Sequence, residues 1–148
     1  MFEHFFDKDL FLHLSGDITK EDVIKTMYEK AHDKGIVDER FIDSVLQREE
    51  IGDTNMNEVF ALPHPMELCA TDTKVVVALL DTPIKWNESN SIQIVFMLVI
   101  KQGEMQDFEH LYDIFIEIIN DNKLEQKIID SRTYDEFINV LYDGISIE

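Results

Sequence analysis

A single histidine, His64, stands between Pro63 and Pro65 in the stretch Asn57 to Leu68, NEVFALPHPMEL, and the whole chain of 148 residues has only 3 prolines. Proline fixes its own φ, carries no backbone donor and restricts the residue before it. His64 is therefore driven toward extended backbone. The prolines end a strand abruptly and present one imidazole on a stiff platform. An imidazole with an ordinary pKa of about 6.5 is mostly neutral at pH 7, so it can serve as nucleophile, base or ligand. Its place, just past the C-terminal end of a predicted strand, is where α/β sheets set their sites. The competing reading is a histidine kept for structure, the commoner fate of a lone one.

The other reactive side chains narrow the chemistry. His4, His13, His32, His64 and His110 show no H-x-H or H-x-x-x-H spacing, and Cys69 has no companion thiol, so no metal site is spelled out. There is no G-x-S-x-G, and the 5 glycines form no phosphate loop. Cys69, in MELCAT, reads as a packed thiol. Arg48 falls at the border of a helix's buried stripe when Phe41 is taken as zero of the wheel. It is either an edge arginine whose stem covers apolar surface or a planar cation aimed at an anion near the sheet. Glu49 projects onto the same apolar face, so the helix ends before it or it pairs with a neighbour. His110 is predicted in the first turn of a later helix, off its apolar stripe. It faces solvent there, or it joins the exposed amides of the helix start in holding a phosphate.

Charge and composition exclude several partner classes. The formal net charge is −18, which opposes phosphate backbones and anionic lipid, so nucleic-acid and membrane binding are not expected of this chain. No apolar run reaches the roughly 18–20 residues of a membrane span. The start, MFEHFFDKDLF, lacks the order of a signal peptide. One cysteine makes no internal disulfide, which suits a reducing cytoplasm.

The elements that must position these residues follow from periodicity and caps. LFLHL (Leu10 to Leu14) is predicted as an edge strand. Thr19 and Asp22 form a T-x-x-D capping box for a helix with Val23, Ile24, Met27, Tyr28 and Ala31 inward and Gly35 at its C′ position. A second helix is expected from an Asp38 N-cap to about Glu50, burying Phe41, Ile42, Val45 and Leu46. The loop IGDTNMN leads to the strand VFAL. VVVALL and IQIVFMLVI, nearly continuous in aliphatic residues, read as strands covered on both faces. Asp107 is expected to cap a helix with Phe108, Leu111, Tyr112, Phe115, Ile118 and Ile119. A short helix covers about Leu124 to Asp130. Thr133 and Glu136 box the start of the last, which buries Phe137, Ile138 and Leu141. The expected architecture is α/β: a single-domain sandwich over residues 1–148, with a mixed β-sheet flanked by helices.

QREEIGDTNMNEVFALPHP resembles the segment around the active histidine of type-2 (mannitol/fructose-class) enzyme IIA domains of the bacterial phosphotransferase system (PTS). The pattern there is an R-E pair, a threonine, then a small strand ending in A-[IVL]-P-H, filled here by Arg48, Glu49, Thr54 and Ala61-Leu62-Pro63-His64. FEHLYDIF resembles the later histidine-leucine helix of that family and places His110 at its second histidine. The likeness runs from about Leu10 to Leu141. It implies that His64 accepts a phosphoryl group from the phosphocarrier HPr, with Arg48, His110 and, more weakly, Thr54 steadying the charge on the equatorial oxygens. No metal, nucleotide or other cofactor is then required, because the donor is itself a phosphohistidine. Transport enzyme IIA domains commonly carry glycine after the histidine, where this chain has Pro65. With PIKW and LYDIF, the sequence is more similar to the enzyme IIA-like C-terminal domain of BglG-type regulators and antiterminators. That implies a regulatory phospho-acceptor whose partners are HPr and other domains of a regulator. The alternative is a transport component that relays phosphate to a cognate enzyme IIB.

Overall fold

The computed structural model describes residues 2–145. In chain order it contains β1 (Phe11–Leu14), α1 (Lys20–Asp33), α2 (Arg40–Ile51), β2 (Phe60–Ala61), β3 (Lys74–Lys85), β4 (Ser91–Val99), α3 (Met105–Ile119), α4 (Asn122–Asp130) and α5 (Tyr134–Gly144). The sheet order is β1-β3-β4-β2, antiparallel between β3 and β4 and parallel at both edges. Side chains alternate across this sheet. Val75, Val77, Leu79, Ile94, Phe96 and Leu98 meet α3, α4 and α5, whereas Val76, Ala78, Leu80, Val95, Met97 and Val99 meet α1 and α2. The unbroken apolar runs are thereby explained: both faces of the central hairpin are buried, giving the expected helix–sheet–helix sandwich. Phe96 is the hub of one layer, packed edge-on against Phe6, Phe60, Phe115 and Phe137 with ring centroids 4.8–5.9 Å apart.

Local signals placed several boundaries. Both capping boxes form, at Thr19–Asp22 and Thr133–Glu136, and Gly35 follows the α1 C-cap with φ 79°. Among the boundaries that differ from expectation, three bear on the site. The α2 N-cap is Glu39, although Asp38 Oδ1 still accepts from the Arg40 amide at 2.9 Å. β2 keeps only Phe60 and Ala61, because the Leu62 amide turns to the Thr54 carbonyl (3.0 Å) and Pro63 has no amide to continue the ladder. α3 begins at Met105, with Glu104 as N-cap and Asp107 inside its first turn. There the Thr73 hydroxyl bonds the Glu104 carboxylate and receives the Lys101 amide (3.0 Å), and Gly103 (φ 93°) turns the chain into the helix early. His110 consequently lies in the second turn, beyond the free amides of the helix start. Among the described residues no helix is long and apolar enough to cross a membrane.

The turn that launches β2 is tied to the far helical layer. Asn57 Oδ1 accepts from the amides of Val59 and Phe60, each at 2.9 Å, while its Nδ2 donates to Glu125 Oε2 of α4 at 2.7 Å. Burial pushes the Glu125 carboxyl up, and this outweighs the Asn57 amide, which draws it down. A carboxyl raised on folding supports the fold fully below its unfolded pKa of about 4.3 and loses that support as pH rises through the folded value. Glu125→Gln keeps an acceptor for Asn57 without the buried charge. The expected result is a melting temperature higher at pH 7 by on the order of a few degrees, with the gain shrinking toward pH 4. A gain equal at both values in thermal melts would rule out ionisation as the cause.

Candidate functional site

His64 is restrained at its ring and on both flanks of its backbone. The Pro63 carbonyl accepts from the Leu98 amide of β4 at 2.9 Å. The Leu62 carbonyl lies 2.7 Å from Nδ1 of His64. A carbonyl can only accept, so Nδ1 carries the proton and Nε2 keeps its lone pair. Beyond Pro65, the Ser44 hydroxyl of α2 accepts from the amides of Met66 (2.8 Å) and Glu67 (3.1 Å), fixing the next turn. The ring is half-buried on a cavity of about 230 Å³ lined by His64, Pro65, Leu68, Ile100 and Phe108. That lining is almost wholly apolar, so a charge entering it is poorly screened and responds strongly to any nearby cation.

The chain that delivers His64 is a narrow hairpin. Thr54 O pairs with Leu62 N, Asn55 bridges Ala61, and the Met56 amide bonds the Phe60 carbonyl at 2.7 Å. Its base is anchored by Glu49, which answers the question raised by an acid on an apolar face. The helix does not stop short: Glu49 is buried and pairs. Its carboxylate accepts from the Thr54 amide (3.1 Å), the Thr54 hydroxyl (3.0 Å) and Lys20 Nζ (3.2 Å). Lys20 also bonds Asp53 at 3.0 Å and lies 4.7 Å from the centre of the Trp86 ring. The Lys20 hydrogen bond, joined by one from Asn87, holds the Asp53 carboxyl below its ordinary value.

The sequence-predicted residues are thus distributed unequally. His64 sits at the open cavity. Thr54 is buried, and its amide and hydroxyl protons both go to Glu49. Arg48 donates from Nη1 to the Gly52 carbonyl at 2.7 Å, closing the C-terminal end of α2 where a cation is favoured. Of the 3 arginines, Arg40 is neutralised by Asp38 and Arg132 by Asp81, whereas Arg48 meets a neutral carbonyl and keeps its net charge. His110 is half-buried, its ring 6.1 Å from that of Phe5, on the helix whose Phe108 lines the His64 cavity. Cys69 lines a different pocket, with Arg40, Glu67 and Lys101, and burial pushes its thiol up, away from the reactive thiolate. Among the described residues no three His, Cys, Asp or Glu side chains gather as a metal-binding group. Ser44 was not legible as part of the site, because its bonds span 22 and 23 residues and no local pattern marks them.

Comparison with known proteins gives this geometry a setting. The family model described as "Phosphoenolpyruvate-dependent sugar phosphotransferase system, EIIA 2" matches residues 4–144. The "Probable licABCH operon regulator" of Bacillus subtilis (strain 168) is 31% identical over 122 residues, covering 82% of this chain and 19% of that protein. The chain therefore spans a small part of that relative. The "Mannitol-specific phosphotransferase enzyme IIA component" of the same organism is 25% identical over 125 residues, covering 82% of this chain and 85% of the component. Among solved structures, the complex of enzyme IIAMtl and phosphorylated enzyme IIBMtl from Escherichia coli matches with a TM-score of 0.77 at 18% identity, over 93% of this chain and 99% of that one. At that identity the likeness establishes the fold.

The bonds at Ser44 can be tested by themselves. Ser44→Ala removes the acceptor of two loop amides and should cost about 0.5–1.5 kcal/mol in denaturant unfolding. It should also speed hydrogen exchange at Met66 and Glu67. Unchanged exchange at both amides would show that the turn is held by other means.

Proposed function

The chain belongs to the phosphoenolpyruvate-dependent sugar phosphotransferase system EIIA 2 family, and from that premise we propose that Nε2 of His64 accepts a phosphoryl group from the phosphocarrier HPr. The observation that carries this reading is the 2.7 Å bond from His64 Nδ1 to the Leu62 carbonyl, which leaves Nε2 as the nucleophile. Nε2 attacks phosphorus in line with the donor's P–N bond. As the new N–P bond forms the old one breaks, and the donor's imidazole leaves neutral. The His64 ring becomes positive, and the Leu62 carbonyl, already accepting from Nδ1–H, steadies that charge.

The transferred group brings negative charge into a chain of net charge −18, so local cations must offset it. Arg48 and His110 take that role in this reading. Arg48 is supported by its unneutralised guanidinium, which has to exchange one neutral carbonyl for phosphoryl oxygens. Thr54 serves the group indirectly, through the backbone it holds. The reaction takes place in the cytoplasm.

The module acts as a regulatory acceptor; the similarity to the licABCH operon regulator supports this, as does Pro65 after the histidine. Relay to an enzyme IIB is the second reading. It is favoured by the match to the mannitol component over 85% of that protein's length.

Intact-mass spectrometry at neutral to alkaline pH, after incubation with enzyme I, HPr and phosphoenolpyruvate, tests the acceptor. One acid-labile phosphoryl group is expected on the wild-type chain and none on His64→Ala. Arg48→Ala should slow its appearance on the order of 100-fold. Persistence of the label in His64→Ala, or no label while a known enzyme IIA is charged in parallel, overturns the reading. Discharge onto an enzyme IIB would select relay over regulation.

A further inference from the structure

The Thr54 hydroxyl and the Glu49 carboxylate stand one step behind the reacting ring. We infer that they are positioning residues: together they fix the tautomer of His64, and so decide which ring nitrogen is nucleophilic. The inference rests on the acceptor reading for its consequence, though not for its geometry.

The chain of contacts is continuous. Glu49 is 8% exposed and lies in the last turn of α2, whose packing through Phe41 and Val45 makes it a rigid support. Both carboxylate oxygens reach Thr54, Oε2 to its amide and Oε1 to its hydroxyl, so this residue is gripped at backbone and side chain together. Lys20 supplies the counter-charge at 3.2 Å. The Thr54 carbonyl then receives the Leu62 amide at 3.0 Å, across the base of the hairpin. Leu62 is thus fixed on its amide side by Thr54, and the next carbonyl, that of Pro63, is fixed by Leu98 at 2.9 Å. Between those two restraints the Leu62 carbonyl has one direction, toward Nδ1 of His64.

A neutral imidazole in water exchanges its proton between the two nitrogens. A carbonyl aimed at Nδ1 holds one form. If Thr54 drifts, the Leu62 peptide can tilt, the carbonyl leaves Nδ1 and part of the population carries its proton on Nε2. Those molecules present no lone pair to phosphorus.

The test is nitrogen-15 NMR of the His64 ring at about pH 8, above the ordinary imidazole range. It is paired with phosphorylation rates from phospho-HPr. The wild-type chain should show a single Nδ1-protonated form. Thr54→Val preserves shape and removes the hydroxyl. It should give mixed tautomers and a rate lower by roughly 10- to 100-fold, the scale of loss for a misplaced reacting group. Thr54→Ser should restore both. Glu49→Gln, which keeps one acceptor and loses the charge, should move both readouts the same way and serves if Thr54→Val does not fold. An Nε2-protonated wild type, or a folded variant whose ring spectrum and rate are unchanged, overturns the inference. If the wild-type chain takes no phosphoryl group at all, the acceptor reading fails while the ring spectra still judge the clamp.

Discussion

A carboxylate removed from water is destabilising unless its acceptors are filled. Glu49 meets that condition with three donors from two residues, Lys20 and Thr54. The arrangement of the site depends on it. β2 is 2 residues long and pairs with β4 only at Phe60 and Ala61, too little to hold a strand by itself. What fixes the approach to His64 is the hairpin behind it, anchored at one end by Glu49 and at its tip by Asn57 and Glu125. α1 contributes through Lys20 and α4 through Glu125, so both helical layers grip the same short segment. Elements far apart in sequence thereby determine where one imidazole points.

Legibility in the sequence followed the range of the interaction. The two capping boxes join residues three apart, and the chain declares them locally. The apolar runs of β3 and β4 declared burial on both faces, and the histidine between prolines declared a presented ring. Glu49 was legible only as an anomaly, an acid on an apolar face. Its partner Lys20 lies in another helix, where no local pattern points to it. The start of α3 was misplaced for the same reason. Asp107 is a good cap by type, but the chain enters the helix earlier because Thr73, 31 residues before Glu104, draws that carboxylate to the sheet.

That shift changes what His110 can do. At the first turn it would have stood among unpaired amides able to hold a phosphate with it. In the second turn it acts as a side chain alone, braced by the Phe5 ring. In the proposed transfer the electrostatic demand then falls more heavily on Arg48. The chain as a whole is acidic, and several of its cations are paired with carboxylates: Lys34 with Asp7 and Asp9, Arg40 with Asp38, Arg132 with Asp81. An arginine resting on a neutral carbonyl gives up one hydrogen bond to turn toward an anion, and no ion pair.

The prolines around His64 belong to the same economy of restraint. Pro63 offers no amide to a neighbouring strand, so β2 ends there, yet its carbonyl still binds Leu98 and keeps the chain against β4. Pro65 confines the backbone of His64 and packs into the buried side of the cavity. After it, Ser44 takes the next two amides. The ring therefore has few positions open to it, and its proton is held on Nδ1, which in the proposed transfer leaves Nε2 to react. Catalytic groups set in place before the encounter need little reorganisation at the moment of transfer. Here backbone carbonyls and prolines, with one buried carboxylate behind them, hold the ring in place beside a cavity whose lining is almost wholly apolar.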